Sequence, residues 1–117
     1  MVWMPGGFLT LSANGDDAKS GIIWVTMPLA ENANKRVVRG ILRAFDASDV
    51  SRQLWDSENT GNDNDRLGQF AKFNPPVVAN GKVYVATFQE ETIRTADGIH
   101  LNMTGGDQPA LVIYGLK

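Results

Sequence analysis

The sequence predicts an all-β chain built from two four-stranded antiparallel units. Three observations carry this prediction. Short runs of β-branched and aromatic residues recur between turn-forming residues along the 117 residues, a pattern of strands rather than helices. The stretch Val77-Val78-Ala79-Asn80-Gly81-Lys82-Val83-Tyr84-Val85 is two strands joined by a dipeptide that supplies the positive φ angles of a type I′ hairpin. That pattern also comes twice: Asn14-Gly15 with Ile22-Ile23-Trp24-Val25 precedes it in the chain, with a longer turn. Repetition of this kind marks units that stack on neighbours to bury their faces.

In chain order, Val2-Trp3 stands before the first copy as Leu54-Trp55 stands before the second. Residues 1–4 are therefore expected to be the last strand of a unit, displaced to the N-terminus. Phe8 to Ser12 forms a strand ending at Asn14-Gly15, and Ile22 to Met27 forms another, closed by Pro28. A polar stretch, Leu29 to Arg36, leads to a third strand over Val37 to Phe45. A turn over Ala47 to Ser51 leads to a fourth, Arg52 to Asp56. Pro75-Pro76 removes two ladder donors, so the next strand begins about there. After the Asn80-Gly81 hairpin, Leu111 to Gly115 repeats the third strand. Glu90 to Asp97 is too short and too rich in Thr for a helix and is expected to be at most a turn. The chain is thus one domain of two units, the first over about residues 5–57 and the second over about 70–117 with residues 1–4 added.

Hydrophobic residues at 43% and charged residues at 21% describe an ordinary folded chain, and its length suits a single folding unit. A net charge of −2 offers no general attraction for phosphate backbones, so nucleic acid is not an expected partner. Without cysteine there is no disulfide, thiolate metal site or thiol nucleophile. The first residues lack the basic region and long apolar run of a signal peptide, and no stretch approaches the roughly 20 apolar residues of a membrane span.

No arrangement of residues announces catalysis. Asn62-Asp63-Asn64-Asp65 offers closely spaced oxygen donors, with Asp63 and Asp65 the candidates for a hard cation such as Ca²⁺. The spacing does not meet the EF-hand pattern, and turn formation by Asn and Asp explains the run more simply. Glu90-Glu91 with Asp97 would serve as acid and base only if folding joined them around a cleft; a solvated acidic loop is the expectation. His100, the one histidine, cannot build a zinc site alone and has no nucleophile-elbow motif to serve, so it is expected to be a loop residue. Asn102-Met103-Thr104 is formally a glycosylation sequon. Lys35, Arg36 and Arg39 are expected to be solvated charges. Trp3, Trp24 and Trp55 are expected to fill the spaces between stacked sheets.

Ala44-Phe45-Asp46-Ala47 with Leu54-Trp55, the run Phe73 to Val85, and the final Val112-Ile113-Tyr114-Gly115-Leu116 together resemble the pyrroloquinoline-quinone-like β-propeller repeat family. The likeness is greatest to the last blades of bacterial quinoprotein-like propellers and covers nearly the whole chain apart from its inserted loops. Of the family's Ala-x-Asp, Thr-Gly, Trp pattern the chain keeps Ala44, Asp46 and Trp55; Val50-Ser51 replaces Thr-Gly, at a spacing one residue longer. The resemblance implies two four-stranded β-propeller blades, a partial propeller completed by oligomerisation or by belonging to a larger ring. Its structural residues would be Trp3, Trp24, Trp55, Asp46, Asn80 and Gly81. It also implies that the loops Leu29 to Arg36, Asp56 to Gln69 and Gln89 to Pro109 share one face, where a ligand would be sought. The leading expectation is a non-catalytic scaffold or binding module without a cofactor, forming homo-oligomers through blade faces or strand exchange. The alternative is a fragment of a dehydrogenase that binds pyrroloquinoline quinone and Ca²⁺. Against it, two blades cannot surround a cofactor, and the adjacent cysteine pair of many such alcohol dehydrogenases is absent. The family's usual setting would be periplasmic or secreted.

Overall fold

β-Branched and aromatic runs pair wherever the turn residues let the chain reverse. The computed structural model describes residues 7–30, 33–34, 37–88, 91–95, 98–102 and 109–115, with the backbone alone for 91–95 and 98–102. The expected strand at residues 1–4, including Trp3, lies outside these residues. In chain order the strands are β1 (Phe8–Ser12), β2 (Ile22–Pro28), β3 (Gly40–Asp46), β4 (Asp49–Asp56), β5 (Gln69–Phe70), β6 (Val77–Ala79), β7 (Lys82–Phe88), β8 (Glu91–Thr95), β9 (Gly98–Asn102) and β10 (Pro109–Gly115). Short 3₁₀ turns occupy Ala18–Ser20 and Asp63–Asp65. The fold is all-β, with two four-stranded antiparallel sheets.

The first sheet runs β1-β2-β3-β4. The second is centred on β7: β10 pairs along its whole length, while β5 and β6 pair with its two ends in turn. Since a strand has two edges, β5 and β6 share the edge away from β10. The Asn80-Gly81 turn has φ of 52° and 71°, the two left-handed residues of a type I′ hairpin, and it sets Ala79 opposite Lys82.

The sheets pack face to face. Leu42 of β3, Val83 and Val85 of β7 and Leu67 of the intervening loop form the buried cluster, flanked by Trp24, Trp55, Val78, Val112 and Tyr114. Each fully buried side chain of this size contributes about 1.5–3 kcal/mol by leaving water. Trp55 meets Tyr114 edge-on, with ring centroids 5.5 Å apart. A smaller cluster of Ala33, Val38 and Phe70 gathers beside Phe8. The Thr10 hydroxyl donates to the Pro76 carbonyl, tying β1 to the segment entering β6.

Backbone bonds also cross between the sheets. The Gly40 N–H donates to the Gly68 carbonyl at 2.8 Å, and the Phe70 N–H donates to the Val38 carbonyl at 2.7 Å. Glycine suits this crossing at position 40, because a Cβ there would sit 3.2 Å from the Phe70 Cα, tighter than ordinary van der Waals contact, and the neighbouring backbone would have to give way. The same crossing explains why the third strand starts at Gly40 rather than Val37: residues 38–40 spend their backbone groups on the second sheet.

Two other boundaries differ from expectation. The turn after β3 needs only Ala47 and Ser48, because Asp46 pairs directly with Asp49 and its carboxylate accepts from the Ser48 N–H and hydroxyl. The longer spacing to Trp55 is absorbed in β4, where the register with β3 shifts on both sides of Phe45; such bulges take up extra residues without losing the pair. In the connection from β7 to β10, Glu91–Thr95 and Gly98–Asn102 pair as a two-stranded ribbon. Thr and Ile at alternate positions stabilise strands even in a short run, so the turn expected over Glu90 to Asp97 is a strand where it is described.

Candidate functional site

Three features rise from this framework: two exposed sheet faces, a cleft between the sheets, and a polar knot where β4 ends.

Cross-strand partners share a face of a sheet. In the second sheet, Val77, Tyr84 and Ile113 form one row, and Ala86 and Leu111 the next, on the side away from the core. Val77 is 58% exposed, Leu111 60% and Ile113 52%. On the first sheet, Leu9 and Leu11 of the edge strand β1 face outward and are 59% and 66% exposed, whereas Val25 and Ile41 on the same face are buried. The molecule thus carries an apolar row on each outer face, with the sandwich core between them.

The cleft, about 850 Å³, lies between the sheets at the end where β1 stops, β2 begins and β6 turns into β7. Trp24, Trp55 and Tyr114 line it, with Ser12, Thr60 and Asp65. Trp24 and Trp55 stand on the two sides of Ala44 in one cross-strand row, so the small alanine leaves a notch between two indoles. The polar ends of the rings are tied down: the Trp24 Nε1–H donates to the Ser12 hydroxyl at 2.9 Å, and the Tyr114 hydroxyl to the Asp65 carbonyl at 2.8 Å. Burial raises the phenol pKa of Tyr114 well above the usual range, the Ser57 hydrogen bond opposes this, and the charges of Asp65 and Glu58 add to it.

The knot centres on Asp56. Its carboxylate accepts from the Gln53 side chain, the Glu58 and Asn59 N–H groups and the Asn59 side chain, all within 3.0 Å. Burial alone would raise its pKa; these donors outweigh it and leave the pKa below the ordinary value. Ser57 pairs with Leu42 in both directions, and Glu58 bridges Arg39 at 3.2 Å and Arg66 at 3.4 Å. These bonds fix the chain on its way from one sheet to the other.

The sequence candidates are dispersed. Trp24 and Trp55 line the inter-sheet cleft, whereas Asp46, Asn80 and Gly81 are in turns. The Asn62 side chain accepts from the Asn64 N–H and so caps the 3₁₀ turn. Asp63 pairs with Arg66 at 3.3 Å on the surface, and Asp65 faces the cleft. Asp63 and Asp65 are thus a turn residue and a lining residue, and among the described residues no three His, Cys, Asp or Glu side chains gather in a metal-binding group. His100 is in β9 rather than a loop. Glu91 is in β8, whereas Glu90, Asp97, Lys35, Arg36 and the sequon beyond Asn102 lie outside the described residues.

Of the three long loops, those after β2 and β7 leave from one end, where Pro28 meets Gly40 and Phe88 meets Pro109. The loop after β4 is anchored at that same end, since Asp56 lies opposite Arg43 and Gln69 opposite Phe88, and its middle reaches back to bring Thr60 and Asp65 to the cleft. The role of Tyr114 is absent from the sequence expectations, although the alternation Leu111, Val112, Ile113, Tyr114 marks it as inward-facing. Comparison with protein-family models, curated proteins and solved structures finds no match. No helix among the described residues is long and apolar enough to cross a membrane.

Proposed function

We propose that the chain is a non-catalytic β-propeller module, without a cofactor of its own, whose two sheets act as blades and which works by assembling with further blades from a second copy. One observation carries this reading: each outer face bears an apolar row, Leu9 and Leu11 on one side and Val77, Leu111 and Ile113 on the other. Inside the molecule, sheets bury the same kind of β-branched and aromatic rows against each other. A further copy extends that stacking, and exposed apolar faces of this kind mark interaction surfaces. Contact between two different faces is head-to-tail, which closes into a ring when the rotation permits.

Light scattering coupled to size exclusion tests the proposal. The chain is expected to elute as an oligomer, and the double variant Leu111→Lys, Ile113→Lys as a monomer with unchanged far-ultraviolet circular dichroism. A chain that stays monomeric at all concentrations up to roughly hundreds of micromolar, a range in which weak assemblies still form, overturns it.

A further inference from the structure

The inter-sheet cleft has a chemistry that the assembly of sheet faces does not use. We propose that it is a binding site for a small alkylammonium cation. Three aromatic rings line it: Trp24, Trp55 and Tyr114. Asp65 is the one charged side chain among the described lining residues, and no described residue donates to its carboxylate. Aromatic faces attract cations through their quadrupoles, most strongly for indole, and a methylated ammonium suits them because it sheds its water easily.

The site is built before any ligand arrives. Trp55 and Tyr114 meet at 73°, so their rings form a corner rather than a stack. Ala44 separates Trp24 from Trp55 by one strand on either side, a lane-to-lane span of roughly 9–10 Å. With the indole N–H of Trp24 given to Ser12 and the phenol of Tyr114 given to the backbone of Asp65, these two rings are held in place with their donors satisfied within the protein. The described lining is otherwise aliphatic apart from the hydroxyls of Ser12 and Thr60, so the Asp65 carboxylate is its one source of formal charge. An anion finds no basic partner among the described lining residues, and a polar neutral ligand finds few free donors.

Choline and its neutral analogue, in which a carbon replaces the nitrogen, separate charge recognition from simple apolar filling. Titration of the full chain, followed by tryptophan fluorescence and calorimetry, is expected to show choline binding about tenfold more tightly than the analogue. Asp65→Asn, which keeps the carbonyl that anchors Tyr114, is expected to weaken choline several-fold with an unchanged melting temperature, and to leave the analogue unaffected. Equal affinity for choline and the analogue overturns the proposal, as does preference for a neutral methyl glycoside. So does the absence of saturable choline binding, or an Asp65→Asn chain that binds choline as the parent does.

Discussion

Asp56 joins local sequence to stability through hydrogen bonds that it alone accepts. It is 7% exposed, so removing the carboxylate strands several donors out of reach of water. Asp56→Ala is expected to cost about 1–3 kcal/mol in urea denaturation, the penalty for buried groups left unpaired. The pH dependence has a definite sign. The folded-state pKa lies below the ordinary 3.8, so this contribution is complete above about pH 5 and is lost as pH falls through the folded-state value. Stability measured from pH 6 downward should therefore decline in acid, and Asp56→Asn should flatten part of that decline. Asp46 shares the lowered direction, through the Ser48 hydroxyl and N–H, but at the surface, where the same chemistry shapes a turn.

At the level of elements, β3 is the strand on which the two sheets converge. Leu42 is fully buried among residues of both sheets, and Leu42→Ala is expected to cost about 2–5 kcal/mol, set by the cavity left behind. Val50 on β4 is 64% exposed, and Val50→Ala should fall within about 0.5 kcal/mol of the parent in the same denaturation measurement. This contrast mirrors what was legible in the sequence. The β-branched runs and the Asn80-Gly81 pair gave strand identity because they act locally: β1 is found over Phe8–Ser12 as expected, and the hairpin has its expected turn. The start of β3 was not legible, because Val37 and Val38 have strand propensity while a partner thirty residues away claims the backbone. β8 and β9 are not legible for a related reason, as Glu-Thr-Ile-Arg-Thr and Gly-Ile-His-Leu-Asn are each five residues with too few apolar positions to mark a strand period. Of the site, Trp24 and Trp55 were foreseen as packing residues, but their cleft depends on Tyr114 and on Asp65 arriving from a loop, and such convergence leaves no pattern along the chain.

For the whole molecule, one picture is of two separable plates, each with one wet face and one dry. The bonds that join Gly40 to Gly68 and Phe70 to Val38 argue otherwise. They lace the start of β3 to the start of the second sheet, and the Arg39 and Gln69 backbones form a bridge between them. Unfolding either sheet therefore strips hydrogen bonds from the other, which makes a half-folded intermediate costly. Native-state hydrogen exchange is expected to show the Gly40 and Phe70 amides exchanging with the free energy of global unfolding, together with those of β7. Faster exchange at these two positions would indicate that the plates part first. A protease that nicks the long connection between β7 and β10 should leave a nicked chain that stays in one piece, because β10 remains zipped to β7 along its whole length and pinned by the Tyr114 hydroxyl to the Asp65 carbonyl.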